Sequence, residues 1–302
     1  MKWTIDEKYE GLMIRTYLRD VHGFSRKLIK SIKFNGGEML VNGEQRTVRH
    51  QLKAGEILAV HFPAEMKSEF MKPEQIPLDI IYEDDDVVVL NKQAGIVTIP
   101  SGIHTSGTLS NGLLYYYEKH NIPYTIHIVT RLDRDTSGLL LVAKHRYSHS
   151  ILSAAQKSGA INRRYKAIIE GRLPDETGTI SRPIGRKEGS IIERAVREDG
   201  KYAVTHYQVL EEFGAHSLVN VQLETGRTHQ IRVHFSHLGY SLTGDNLYGG
   251  SRNFMKRQAL HCDYLSFQHP VTKKGMEFSI PLAQDMQRQL SQKGMQVLNN
   301  FE

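Results

Sequence analysis

The sequence predicts an α+β protein, with a mixed, largely antiparallel sheet, flanking helices, and a small N-terminal α/β module. Three observations predict it. Strand-like apolar runs recur from residue 79 onward, helical segments fall between them without strict βαβ alternation, and the first 63 residues read as a separate basic unit. With 302 residues the chain can fill one large core and a smaller one, since domains usually hold roughly 100–200 residues. The expected boundaries are a module at 1–63, a linker at 64–78 and a large unit at 79–302.

In the module, "GFSRKLIKSIKFNG" offers Ser25 as an N-cap for a following helix. Leu28, Ile29 and Ile32 fall on one side of it, and Arg26, Lys27, Lys30 and Lys33 on the other. "GEMLVNGEQRTV" reads as two short strands around Asn42-Gly43, a strong hairpin pair, and "LKAGEILAVHF" adds another strand. The linker lacks periodicity and carries Pro73 and Pro77, with Pro63 just before it. In the large unit, "DDVVVLNK" and "SGLLLVAK" read as buried strands. "RYKAIIEG" alternates Tyr165, Ala167 and Ile169, and "SLVNVQLETG" alternates Val219, Val221 and Leu223. "GTLSNGLLYYYEKH" and "SHSILSAAQKSG" are helical, and "LAQDMQRQLSQKGMQVLNN" closes the chain as an amphipathic helix.

Composition narrows the partners. Hydrophobic content of 39% and charged content of 24% are globular values. The net charge is +6, of which residues 1–63 supply +4, from 11 Lys+Arg against 7 Asp+Glu. That excess favours an acidic partner. A single cysteine, Cys262, excludes an intrachain disulfide and a multi-cysteine zinc site. The opening residues carry no leader-like apolar stretch, and no window approaches the roughly 18 apolar residues of a membrane span. A cytoplasmic monomer is the expectation.

Three distant segments carry chemistry. "TRLDRDTSGLLLVAK" sets Asp133 between Arg131 and Arg134, at the mouth of a buried strand. Taken alone this is either a structural ion pair or a reactive carboxylate tuned by its neighbours. "LETGRTHQIRVHF" is far more polar than a core connection requires, with Arg227, His229, Gln230 and Arg232 close together. Its apolar residues fit a helix or a strand; the expected helix puts Arg227 at a helix start, where anions are favoured. "INRRYKAIIEG" places Arg163 and Arg164 before Tyr165, a tyrosine that packing alone could explain.

Together these segments resemble the RluA family of RNA pseudouridine synthases over nearly the whole chain. The family's "RLDxxTSG" matches at Asp133, its strand tyrosine at Tyr165 and the arginine of "LxTGRTHQIRVH" at Arg227. "YEDDDVVVLNKQAG" around Lys92, "RPIG", "GDNLYGG" and "ALHCDYLSFQHP" add support. Two departures stand out: Thr130 where most members have His, and Gln93 where most have Pro. The first 63 residues are similar to S4-like RNA-binding domains, through the helix after "SRKLI", the "VNG" turn and "LKAGE".

The resemblance implies conversion of uridine to pseudouridine, in which the N1–C1′ bond breaks and the uracil rejoins through C5. Atoms and electrons balance without a partner, so neither redox cofactor nor metal is expected. Asp133 would attack C1′ or remove a proton from C2′, as an anion set against an electron-poor sugar. Arg227 is expected to pair with it, and Tyr165 to stack on the uracil or assist loss of the C5 proton. Extruding the uridine costs a few kcal/mol. Phosphate contacts from Arg26, Lys27, Lys30, Lys33, Arg131, Arg134, Arg163 and Arg164 would supply it. Ribosomal RNA is the expected substrate and transfer RNA the alternative. A non-catalytic RNA-binding factor would dispense with these side chains, and a hydrolase would want a second carboxylate to activate water.

Overall fold

A computed structural model describes residues 1–63, 65, 71–100, 105–123 and 125–292. The N-terminal sheet is built from β1 (Lys2–Thr4), β2 (Glu38–Val41), β3 (Glu44–Gln45) and β4 (Ile57–His61), in the order β1-β4-β2-β3. A short helix α1 (Ile14–Thr16) runs into a wide turn at Tyr17–Val21, and α2 (Arg26–Phe34) follows. Ser25 caps α2 by accepting from Leu28 N–H at 3.1 Å. Leu28 and Ile32 are buried in the module's own core, while Arg26, Lys27, Lys30 and Lys33 are exposed. The β2–β3 turn is made by Asn42 and Gly43 with φ of 52° and 85°, the left-handed pair that a two-residue hairpin requires.

Among the described residues the large sheet has ten strands. Its members are β5 (Ile80–Glu83), β6 (Val87–Lys92), β7 (His127–Ile128), β8 (Ser137–Ala143), β9 (Asn162–Glu170), β10 (Thr177–Ser181), β13 (Val204–Phe213), β14 (His216–Leu223), β15 (Leu260–Gln268) and β16 (Gly275–Ser279). The order along its main path is β10-β13-β14-β9-β15-β8-β6-β5. A separate hairpin joins β11 (Ile184–Arg186) to β12 (Arg194–Val196). All pairings in the large sheet are antiparallel except β8 with β15. The α+β class with a mixed, largely antiparallel sheet is therefore the architecture of this chain. Every residue of β8 is buried, as its unbroken apolar run requires of a central strand. Gly138 makes the parallel contact possible. Its φ is 113°, and a Cβ there would stand 2.2 Å from Cys262 O.

The helices are α3 (Leu109–Lys119), α4 (Arg146–Lys157), α5 (Gln230–His237) and α6 (Gln284–Ser291). Helix α4 also meets the N-terminal module. Tyr147 is buried in the module's core, its hydroxyl donates to His22 O at 3.0 Å, and Arg146 Nη1 donates to Ser31 Oγ at 3.2 Å. The described linker residues 71–78 lie along α3, where Asn111 Nδ2 donates to Lys72 O at 2.7 Å and Ile76 abuts Gly112. Linker residues 64 and 66–70, and the end of the expected C-terminal helix from residue 293, lie outside the described residues. No helix of the described chain is long and apolar enough to cross a membrane.

Candidate active site

The polar loop ahead of β8 is held by its backbone. Leu132 O accepts from Thr98 Oγ1 at 2.8 Å, and Arg134 O accepts from Lys92 Nζ and Gly95 N, both at 2.9 Å. Asp135 O accepts from Arg257 Nη1 at 3.1 Å, and the same guanidinium pairs with Asp285 on α6 at 2.7 Å. Lys92 is 1% exposed, and its Nζ also donates to Gln93 O and Ile96 O at 2.8 Å. Burial pulls its pKa down to about 7, against the attraction of Asp133 and Asp135. Three carbonyl acceptors match the three N–H bonds of an ammonium, so the charged form fits this pocket better than the amine. With its loop anchored in this way, Asp133 presents a half-buried carboxylate.

Its partner is Arg232, not Arg227. Arg232 Nη1 donates to Asp133 Oδ2 at 3.0 Å. The same guanidinium grips Asp245 along its Nε–Nη2 edge, Nε to Oδ2 at 2.7 Å and Nη2 to Oδ1 at 2.8 Å. Burial opposes the Arg232 charge, but Asp245 and Asp133 outweigh it and hold its pKa above the ordinary arginine value. Arg227, expected in this place, is exposed and donates Nε to Tyr202 O at 2.9 Å.

Local geometry explains the exchange. His229 caps α5 in the left-handed region, at φ 58°, so the helix begins only at Gln230. Gln230 locks the turn, accepting from Arg227 N at 2.9 Å and Thr225 Oγ1 at 2.8 Å while donating to Val204 O at 2.9 Å. Arg232 then falls in the first turn and points inward, whereas Arg227 precedes the reversal.

Tyr165 sits on β9 opposite Cys262 and Val221, two strands from the start of β8. It is 4% exposed, and burial raises the pKa of its hydroxyl, which stays protonated at neutral pH. A cleft of about 70 Å³ is lined by Asp133, Tyr165, Arg131, Arg163, Arg227, His229 and Arg232, among others. Of the four arginines of the large unit expected on phosphates, Arg131 and Arg163 line it and two do not. Arg134 is bound to its neighbour Asp135 at 3.1 Å, and Arg164 stacks its guanidinium 3.7 Å above the Tyr264 ring. Thr130 is buried, and its Oγ1 accepts from Leu141 N at 2.9 Å. At this position the chain uses the side chain to finish the edge of β8.

Among the described residues, Asp84, Asp86 and His269 bring their ligand atoms within 4.8 Å of one another. His269 Nδ1 accepts from Val271 N and Thr272 N at 3.2 and 3.0 Å, so the ring proton lies on Nε2 and is given to Asp84 Oδ2 at 2.9 Å. That tautomer leaves no lone pair for a metal.

A carboxylate clasped by an arginine thus stands near a buried tyrosine, with Arg232 in the place expected of Arg227. The family model described as RNA pseudouridylate synthase matches residues 86–237, a span that holds Asp133, Tyr165 and Arg232. This chain belongs to the RNA pseudouridine synthases. As a member it is an isomerase acting on RNA uridines. It is 53% identical over 266 residues to the RNA pseudouridine synthase YjbO of Bacillus subtilis, covering 88% of this chain and 94% of that one. It is 39% identical over 293 residues to the ribosomal large subunit pseudouridine synthase D of Buchnera aphidicola, covering 92% and 91%. Human RNA pseudouridylate synthase domain containing 1 superposes with a TM-score of 0.58 at 28% identity, over 70% of this chain and 86% of that one. The RluA-family resemblance of the motifs is borne out by these synthases.

Proposed function

We propose that this synthase isomerises specific uridines of large-subunit ribosomal RNA, with Asp133 as the reacting carboxylate. The carrying observation is the placement of Asp133. Its Oδ2 is committed to Arg232 at 3.0 Å, while the side chain keeps 27% of its surface open to the cleft shared with Tyr165. One guanidinium divided between two carboxylates orients Asp133 without fully neutralising it. Oδ1 then faces the sugar, either at C1′ or at the C2′ proton. Tyr165, held protonated, supports the uracil through its ring face and hydroxyl donor rather than as a base.

Ribosomal RNA is favoured because a relative named ribosomal large subunit pseudouridine synthase D aligns over 92% of this chain. We assign that module, residues 1–63, to S4-like RNA binding, with Arg26, Lys27, Lys30 and Lys33 on phosphates. Arg131, Arg163 and Arg227 would hold the phosphates around the extruded nucleotide. Arg134 and Arg164, held by Asp135 and the Tyr264 ring, are not assigned to phosphate.

Mapping pseudouridines in ribosomal and transfer RNA from a deletion strain tests the assignment. Loss at large-subunit sites, restored by wild type but not by Asp133→Asn, supports it. Loss confined to transfer RNA, or restoration by the variant, refutes it.

A further inference from the structure

We infer that His229 is a further catalytic residue, whose Nε2–H is a donor held for a carbonyl oxygen of the target uracil as the base leaves the sugar. The inference rests on the reading of Asp133 as the reacting group. Its first support is a hydrogen-bond chain that fixes the tautomer. Arg194 N on β12 donates to the Tyr248 hydroxyl at 2.9 Å, and that hydroxyl lies 2.7 Å from His229 Nδ1. Among the described residues, Nδ1 is the acceptor offered to the hydroxyl proton, which leaves the ring proton on Nε2. Burial keeps the pKa of the ring below the ordinary histidine value despite the pull of Asp133, so the imidazole is neutral at pH 7. The charges that face it are Asp133, Arg232, Asp245 and Arg194.

The second support is that this donor is uncommitted among the described residues. Nε2 stands 3.8 Å from Asp133 Oδ2, beyond hydrogen-bond length, and that oxygen already accepts from Arg232. The side chain lines the same cleft as Tyr165. It also does no capping work. A residue at this position usually offers a side-chain oxygen to the first helical N–H groups, yet His229 makes no such bond and holds a left-handed backbone instead. The backbone cost is spent on aiming the ring into the cleft.

The chemistry needs such a donor. When N1–C1′ breaks, its electron pair passes to the ring and spreads onto O2 and O4. When C5 bonds to C1′ the ring becomes neutral, and the proton then lost from C5 is matched by one gained at N1, so the product keeps the atoms and charge of the substrate. The donor keeps its proton throughout and strengthens its hydrogen bond only while the base is anionic. Arg232, divided between two carboxylates, is not free to do this. A neutral donor also leaves the charge of Asp133 intact.

The test uses large-subunit ribosomal RNA from cells lacking the enzyme, labelled with tritium at uracil C5, under single-turnover conditions. His229→Asn tolerates the left-handed backbone, but its amide reaches only to the position of Nδ1. His229→Gln tolerates that backbone less well yet places an amide N–H near Nε2. Asn should slow tritium release about 10²–10³-fold, as loss of one oxyanion donor does, with RNA affinity unchanged. Gln should recover at least about tenfold of that loss. A wild-type rate in the Asn variant, a deficit confined to RNA affinity, or no recovery by Gln would overturn the inference. Asp133→Asn run alongside separates the two readings: if it releases tritium as wild type does, the role of Asp133 fails whatever the His229 variants show.

Discussion

Arg232→Met isolates the guanidinium on which the site is built. The change strands Asp245, whose side chain is 1% exposed and receives two bonds from Arg232 at 2.7 and 2.8 Å. Removing one partner of a buried ion pair costs about 3–5 kcal/mol. Asp133 loses its bond too, but at 27% exposure water replaces most of what is lost, so the larger share falls on Asp245. With a urea dependence of about 3 kcal/mol per molar, the unfolding midpoint should fall by roughly 1–1.7 M, measured by circular dichroism. Adding Asp245→Leu removes the stranded charge, and exchanging a whole buried pair for apolar residues is close to neutral. The double variant should therefore regain its midpoint while tritium release from C5-labelled RNA stays lost, because Asp133 still lacks its clasp. A single variant with the wild-type midpoint, or a double variant with wild-type activity, would refute this reasoning.

Three further outcomes follow from the same geometry. Tyr165→Phe should keep activity within about tenfold and Tyr165→Leu should lose far more, since the buried hydroxyl is a poor base and the ring face carries the role; single-turnover rates decide. Reversing Lys27, Lys30 and Lys33 to Glu should weaken RNA binding and flatten its dependence on salt by about one unit for each phosphate no longer neutralised, with the unfolding midpoint unchanged. His261 is buried and neutral, accepting from Ser137 Oγ at 2.9 Å and donating to Pro281 O at 3.0 Å, and burial pulls its pKa to about 4. The unfolded chain binds that proton from about pH 6.5 downward and the folded one does not, so stability is full above 6.5 and falls by as much as ~3 kcal/mol toward pH 4. His261→Gln should show a correspondingly flatter loss of stability over that range.

Much of this was legible in the residues. The run Leu139–Val142 marks a central strand because nothing polar interrupts it, and the loop before it must then hold Asp133 at the strand's mouth. Tyr165, Ala167 and Ile169 share a buried face, as their alternation required. The partner of the acid was misassigned because the motif holds two arginines and the rule of anions at helix starts favours the earlier one. A left-handed cap at His229 shifts that start, and a histidine gives no sign of it in sequence. Asp245 was equally hidden. Nothing local marks it as the second ligand of Arg232 until residues 241–250 fold back over α5. The salt bridge from Arg134 to Asp135 and the stacking of Arg164 on Tyr264 show why a charge count overstates the arginines free for phosphate.

The fate of uracil C5 tritium when Asp133 alone is changed decides whether that carboxylate is the reacting group. Asp133→Asn is nearly isosteric and can still meet Arg232, so RNA binding should persist. Wild type should release label in step with pseudouridine formation, whereas the variant should bind the same RNA and release none. Release by the variant at a rate comparable to wild type would show that another group does the chemistry.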